Sequence, residues 1–186
     1  MTKLPVVVAL DVDGVLNVLA ERATHPARKV HIDATVVPNS PFVSRPGPGG
    51  MSLRLRLNPV DGEWITALRQ QAQVVWATTW EDLANTVVAP LLGIEPLEVG
   101  VRVADHPPHF GQVRSIDSVG WKQEALSERY HGRPLAFIDD GAWTATVDTG
   151  APSLVLAPDP AIGLTEGHRT EVDRFIEHVE GLAERP

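Results

Sequence analysis

The chain of 186 residues contains no cysteine. This absence excludes a disulfide framework, a thiolate metal site and a cysteine nucleophile, and it fits a reducing compartment. Long apolar runs are also missing, since the longest one, residues 4–10, is far too short to span a bilayer. The N-terminus lacks the long apolar region and the small-residue cleavage site of a signal peptide. We therefore expect a soluble, cytoplasmic protein without a membrane partner.

Positive charge is scarce as well, because the formal net charge is −8. A broad nucleic-acid surface needs many lysines and arginines to displace counterions, so this balance argues against one. Basic residues are nevertheless concentrated in residues 17–57, which contain six basic and two acidic residues. The net charge of this segment is therefore +4, and that of the rest of the chain is −12. This segment either meets an anion or forms a solvated loop. Arg54 and Arg56 within it are candidate substrate contacts.

The apolar pattern alternates between short buried strands and amphipathic helices. Continuous apolar runs predict strands near residues 6–10, 74–77, 99–103, 134–138 and 153–156. Periodicity, caps and prolines predict helices over residues 59–71, 80–88, 120–130, 142–146 and 168–183, with Pro90 closing the second. The alternation predicts a single α/β domain over residues 1–186, with a parallel sheet between helices on both faces.

Residues 17–57 interrupt this alternation. They are rich in proline, glycine, serine and asparagine, which excludes a long helix. Residues 52–57 alternate polar and apolar side chains, as a half-exposed strand does, and residues 30–37 are a candidate partner strand. We therefore expect a small β-flap inserted after the first strand.

The residues best suited to chemistry lie just beyond the carboxyl ends of the first, second and fourth predicted strands. They are Asp11, Asp13, Thr78, Thr79, Asp139 and Asp140. In an open parallel sheet, ligands bind at the carboxyl ends of the strands near a topological switch point. Gly14 makes a turn after the first two carboxylates easy. Gly14 and Thr79 are therefore further candidates for substrate contact.

Clustered carboxylates indicate both a metal ion and a reaction. They repel one another unless a cation neutralises them, and Mg²⁺ prefers such oxygen ligands together with water and substrate phosphate. A carboxylate can also act as a nucleophile and form an acyl phosphate. A second carboxylate can then protonate the leaving group and activate water. The Thr78 hydroxyl and the Lys122 ammonium would hold the phosphoryl oxygens.

Four short motifs resemble those of the haloacid dehalogenase (HAD) superfamily, and they occur in the same order. The segment Asp11-Val-Asp-Gly-Val-Leu16 is similar to the first motif, and Val-Val-Trp-Ala-Thr78 is similar to the second. Lys122 at a helix start corresponds to the third, a place for which Arg114 competes. Phe-Ile-Asp139-Asp140 is similar to the fourth. The resemblance implies a three-layer, HAD-like (Rossmann-like) fold.

The resemblance also implies an activity, that of a phosphatase (a phosphoric monoester hydrolase) working through an aspartyl-phosphate intermediate. Asp11 would be the nucleophile, and Asp13 would be the general acid/base that the dehalogenases of this superfamily lack. Mg²⁺ would be held by Asp11, by the backbone carbonyl of Asp13, and by Asp140 or Asp139. Asp140 is favoured because paired-Asp versions of the fourth motif often use the second residue.

The substrate class stays open. The sequences of the first two motifs, extended to Asn17 and to Trp80, are similar to those of small HAD proteins associated with RNA repair enzymes. The substrate is therefore either a small phosphorylated molecule or a phosphorylated nucleic-acid end, and a non-catalytic HAD-like binding protein is the remaining alternative. We expect Trp76 and Trp80 to pack in the core or at the rim, with stacking on a base as the alternative. His106 and His109 are expected to be structural or surface residues, and no obligate protein partner is evident.

Overall fold

The computed structural model describes residues 5–19, 32–36, 51–105 and 119–183. Along the described residues the strands are β1 (Val7–Leu10), β2 (Ile32–Val36), β3 (Met51–Leu55), β4 (Gln73–Trp76), β5 (Glu98–Val99), β6 (Leu135–Ile138) and β7 (Ser153–Leu156). The α-helices are α1 (Pro59–Leu68), α2 (Ala89–Leu92), α3 (Gly120–Arg129) and α4 (Glu166–Ala183). Five of these strands form one all-parallel sheet in the order β5-β4-β1-β6-β7. The predicted α/β architecture is confirmed.

Strand β1 lies at the centre of the sheet, hydrogen-bonded to β4 on one side and to β6 on the other. Successive side chains of a strand point to opposite faces, so Val8 and Leu10 pack on one face while Val7 and Ala9 pack on the other. Helices α1, α2 and α4 cover the first face, and α3 covers the second. Burial on both faces explains why the central strands are continuous apolar runs rather than alternating ones.

The order of the strands creates a switch point at β1. The chain first adds β4 and β5 on one side of β1, and then β6 and β7 on the other side. The connections after β1 and after β6 therefore leave the sheet side by side at its carboxyl edge. A crevice at this position is the usual ligand site of open α/β sheets.

Strands β2 and β3 form a separate antiparallel pair, in which Ala34 lies opposite Leu53. The predicted strand pair of the flap is therefore present, while residues 20–31 and 37–50 of the flap lie outside the described residues. At the base of this hairpin the Val18 amide donates to the Arg56 carbonyl at 3.2 Å. This bond ties the end of the hairpin to the loop that follows β1.

The second predicted helix begins later and ends later than the sequence pattern indicates. A π-helical turn, Ala84–Val88, continues directly into α2, which ends at Leu92 and is followed by Gly93 in the left-handed conformation (φ 68°). Pro90 lies in the first turn of α2. Because the π-helical turn precedes α2, Pro90 lies inside a continuous helical segment, where its missing N–H removes one backbone hydrogen bond. The prediction that Pro90 closes the helix was wrong.

Two other predicted elements are shorter or absent. Strand β5 consists of Glu98–Val99 alone rather than residues 99–103, and the Val103 amide donates to the Glu81 carboxylate at 2.9 Å instead of to a strand. Residues 142–146 form turns and not the predicted helix. The Ala142 amide bonds to the Asp139 carbonyl, three residues back, which closes an isolated turn without starting a helix.

Helix α4 packs Val172, Ile176 and Val179 against the sheet. A buried ion pair also ties it to α1, since Arg169 donates to Asp61, whose side chain is fully buried. Across the described ranges, every helix falls short of the length and apolar character that crossing a membrane requires.

Candidate active site

Backbone hydrogen bonds of the sheet fix the two aspartates at its carboxyl edge. The Asp11 amide donates to the Ile138 carbonyl at 3.0 Å, and the Asp139 amide donates to the Leu156 carbonyl at 3.1 Å. Each aspartate thus prolongs the ladder by one residue beyond β1 or β6. Because these strands are neighbours, the two carboxyl groups leave the sheet side by side.

Lys122, in the first turn of α3, bridges these two carboxylates. Its Nζ donates to Oδ2 of Asp11 and to Oδ2 of Asp139, each at 2.6 Å. Burial alone would lower the pKa of Lys122, but the charges of the two carboxylates and their hydrogen bonds raise it above its ordinary value. The lysine is therefore a buried cation at the centre of the edge. Arg114, the competing residue for this place, lies outside the described residues.

Asp139 and Asp140 have different surroundings. Both oxygens of Asp139 accept hydrogen bonds, Oδ2 from Lys122 and Oδ1 from the Gly141 amide at 2.9 Å. Asp140 is half-buried and lies over Gly14, which has a φ of 72°. A Cβ at position 14 would overlap the Asp140 carboxyl group. Glycine is required here both for the backbone conformation and for the space that Asp140 occupies.

Three carboxylates form a set able to hold a metal ion. Asp11, Asp139 and Asp140 place oxygen atoms within 4.8 Å of one another. Burial and the charge of Asp11 raise the pKa of both Asp139 and Asp140, against the opposing effect of Lys122. A divalent cation would relieve this concentration of negative charge. An all-oxygen donor set fits a hard ion of the Mg²⁺ type.

The Asp13 carboxylate contacts a different set of groups. Its Oδ2 accepts from the Trp80 indole Nε1 and its Oδ1 accepts from the Asn17 Nδ2, both at 2.7 Å. Burial raises the pKa of Asp13, the two hydrogen bonds lower it, and the charge of Asp11 raises it again, with a net increase. Asp13 therefore holds a proton more readily than an exposed aspartate does.

These groups open into a cavity of about 410 Å³. Its lining among the described residues comprises Asp11, Asp13, Leu19, Thr79, Lys122, Asp139, Asp140 and Gly141. The structure brings together all four predicted carboxylates and the predicted lysine. Leu19 and Gly141 were missed: Gly141 could have been found as the residue that follows the aspartate pair, whereas an apolar side chain such as Leu19 carries no chemical signal.

Of the residues at the end of β4, one lines the cavity and the others are buried. Thr78 is buried and its hydroxyl accepts from the Trp80 amide at 3.3 Å, whereas Thr79 lines the cavity. Trp76 is fully buried, and its indole donates to Asn85 Oδ1 at 2.8 Å. The expected packing role of Trp76 is confirmed, which excludes base stacking for this residue.

Of the two predicted substrate contacts in the flap, one lies away from the cavity and the other lies outside the described residues. Arg56 does not line the cavity, and its guanidinium donates to the Val18 carbonyl at 3.5 Å. The Arg54 side chain lies outside the described residues, as do His106 and His109.

No family model, curated protein or solved structure matches the chain. The resemblance to the HAD superfamily therefore rests on the four sequence motifs. The geometry adds that the acidic and basic residues of three of these motifs meet at one edge of the sheet, from Asp11 through Lys122 to Asp139.

Proposed function

We propose that the protein is a Mg²⁺-dependent phosphohydrolase of the HAD type, which cleaves phosphomonoesters through a phosphoryl group carried on Asp11. The observation that supports this best is the Lys122 bridge between Asp11 and Asp139, next to the Asp140 carboxylate. Titratable groups that are strongly perturbed and gathered in a cleft are typical of a functional site. A nucleophilic carboxylate, a fixed cation and a separate proton donor are the parts that phosphoryl transfer requires.

The metal ion would be held by Asp11, Asp140 and the backbone carbonyl of Asp13. Asp140 suits direct ligation better than Asp139, because Asp140 is only half-buried whereas Asp139 is buried against Lys122 and the Gly141 amide. When bound, Mg²⁺ offsets the negative charge of the phosphate and orients it.

In the first step an oxygen of Asp11 attacks the phosphorus atom, and the bond between phosphorus and the ester oxygen breaks. Asp13 gives its proton to the departing oxygen, so the products are an alcohol and the phosphorylated aspartate. The Val12 amide, at 2.7 Å from Oδ1, and Lys122, at 2.6 Å from Oδ2, orient the attacking carboxylate.

In the second step Asp13, now a carboxylate, takes a proton from a water molecule. The water oxygen attacks phosphorus, the bond to Asp11 breaks, and inorganic phosphate leaves. Both starting groups are regenerated. The raised pKa of Asp13 suits these two tasks, because a carboxyl group titrating closer to the working pH both donates and accepts a proton efficiently.

A phosphatase panel with and without Mg²⁺ tests the proposal. We expect the wild-type chain to hydrolyse p-nitrophenyl phosphate with Mg²⁺ and to be inactive after removal of divalent ions by a chelator. Sugar phosphates and a 3′-phosphorylated oligonucleotide in the same panel compare the two substrate classes. A folded wild-type chain that hydrolyses none of these esters would favour a non-catalytic binding protein.

The Asp11→Asn variant tests the nucleophile within the same panel. It keeps the size of the side chain but removes the attacking oxygen, so we expect kcat to fall by at least about 10³-fold while thermal unfolding stays similar. Asp82→Asn is the matched control, because Asp82 is an exposed residue paired with Arg102 outside the cavity. Activity of Asp11→Asn equal to that of the control would refute covalent catalysis by Asp11.

A further inference from the structure

Both oxygens of the Asp13 carboxylate are held by side chains to which the sequence assigned no catalytic role. The Trp80 indole donates to Oδ2 and the Asn17 amide donates to Oδ1, each at 2.7 Å. An indole nitrogen is only a donor, whereas each carboxylate oxygen has two lone pairs. The carboxylate therefore keeps a free lone pair on each oxygen for a proton, while its rotation about the Cβ–Cγ bond is blocked.

Trp80 is fixed by the turn that follows β4. Its amide donates to the Thr78 hydroxyl at 3.3 Å, and its ring packs against the apolar core. The next residue, Glu81, has a φ of 47°, a conformation that non-glycine residues rarely adopt, and its carboxylate accepts from the Val103 amide at 2.9 Å. The indole is thus presented to Asp13 by a turn held on both sides.

Asn17 is fixed by the base of the β2–β3 hairpin. While its Nδ2 donates to Asp13, its Oδ1 accepts from the Arg56 amide at 2.8 Å. The Asn17 carbonyl also accepts from the Gly14 amide at 2.8 Å, which closes the turn that carries Asp13. Asn17 therefore connects the Asp13 carboxylate to the end of the hairpin.

Two of the other described tryptophans, Trp76 and Trp64, show that packing alone does not explain this contact. Trp76 gives its indole N–H to a neutral amide oxygen in the core, and the Trp64 indole nitrogen has no hydrogen-bond partner among the described residues. Neither Trp80 nor Asn17 belongs to the described lining of the cavity, so neither is placed to contact substrate.

We propose that Trp80 and Asn17 are positioning residues that hold the Asp13 carboxylate where it exchanges a proton with the leaving-group oxygen. This inference rests on the proposed phosphohydrolase function. A general acid has to lie within hydrogen-bond reach of the atom it protonates, and a small misplacement reduces proton transfer strongly. The two residues act through Asp13 and not on the phosphate itself.

Trp80→Phe tests this inference, because phenylalanine keeps an aromatic ring in the same place and removes the donor. Values of kcat/KM are measured for p-nitrophenyl phosphate, whose leaving group needs no proton, and for an alkyl phosphate, whose leaving group needs one. We expect a loss of about 10- to 100-fold for the alkyl ester and of less than about threefold for the aryl ester. Trp64→Phe, which removes an indole without a partner, is expected to leave the ratio of the two values unchanged.

Asn17→Asp is the second variant, and it decides the question if Trp80→Phe fails to fold. Aspartate keeps an oxygen for the Arg56 amide but replaces the donor to Asp13 with a carboxylate. We expect the same selective loss for the alkyl ester. In an Asp13→Asn background, Trp80→Phe is expected to cause no further change, because its effect passes through Asp13.

The outcomes separate this inference from the function on which it rests. An equal loss for both esters, or no loss, in the folded variants of an active enzyme would overturn the positioning role and leave the phosphohydrolase function intact. A wild-type chain without phosphatase activity would overturn both. A selective loss for the alkyl ester in both variants, absent in Trp64→Phe, supports the positioning role.

Discussion

At the scale of single residues, Gly14 controls the position of a carboxylate that lies far from it in sequence. Its φ of 72° directs the chain away from β1, and the space left by its missing side chain is filled by Asp140. A larger residue would change the backbone of the first motif and the carboxylate of the fourth at once. Gly14 is thus more than a turn residue.

Gly14→Ala is expected to lower the free energy of unfolding by about 1–2 kcal/mol, because the Cβ of alanine makes the left-handed conformation unfavourable. It is also expected to weaken Mg²⁺ binding by about 10- to 100-fold, since the added methyl group displaces Asp140. Gly132→Ala is the matched control, with a φ of 75° and open space around the glycine. Calorimetric Mg²⁺ titration and urea unfolding check both effects. Equal Mg²⁺ affinities of the two variants would contradict the role given to Gly14.

The charged residues of the site could be predicted from the sequence because their chemistry identifies them and because they follow strands. The partners of Asp13 could not be predicted in the same way. The Trp80 contact with Asp13 joins residues 67 positions apart and depends on the turn after β4. A tryptophan in an apolar sequence is compatible equally with a core position and with a hydrogen bond to a carboxylate. Only the fold distinguishes Trp80 from Trp76.

At the scale of elements, α4 begins with a capping arrangement that includes a histidine. The His168 amide donates to the Thr165 hydroxyl at 3.3 Å, and the Thr165 amide donates back to the His168 Nδ1 at 3.2 Å. This is the reciprocal pattern of a capping box, with histidine in the place usually taken by glutamate or glutamine. Burial lowers the pKa of His168, and the neighbouring Arg169 charge acts in the same direction against the Glu171 charge.

The lowered pKa predicts a pH dependence of stability. Because the folded state binds the His168 proton less tightly than the unfolded chain, the stabilisation is complete above the ordinary histidine pKa of about 6.5 and is lost as the pH falls towards the folded-state value. His168→Gln keeps an acceptor for the Thr165 amide and does not titrate. We expect the variant to lose less unfolding free energy than the wild type between about pH 7.5 and pH 5.5. Urea unfolding at both values measures this, and the same loss in both proteins would disprove it.

The ends of helices were predicted correctly where local residues determine them. They were predicted wrongly where contacts with distant residues determine them. Asn58 caps α1 as expected, with its side chain accepting from the Val60 amide and Pro59 at the first position. The helix around Pro90 and the turns near Ala142 were mistaken. In both cases the sequence shows the preference of a residue but not how the backbone of the neighbouring turn is hydrogen-bonded.

At the scale of the whole molecule, the parallel sheet and its two covered faces follow from the alternation of apolar strands and helices. The order of the strands does not, because an apolar run shows that a strand is buried but not which strand lies beside it. The order β5-β4-β1-β6-β7 places the ends of β1 and β6 next to each other. This adjacency turns aspartates that are 128 residues apart in sequence, Asp11 and Asp139, into partners of one lysine.

The central claim is that Asp11 carries the phosphoryl group, and trapping that group tests it most directly. The Asp13→Asn variant is mixed with p-nitrophenyl phosphate that is radioactively labelled on phosphorus, with Mg²⁺ present, and is quenched in acid. The first step needs no proton donor for this ester, whereas the second step lacks its base, so the labelled intermediate should accumulate. We expect the label on the peptide that contains Asp11. Hydroxylamine should release this label, and the double variant with both Asp11→Asn and Asp13→Asn should carry none. Turnover without protein-bound label, or label that persists in the double variant, would contradict the claim.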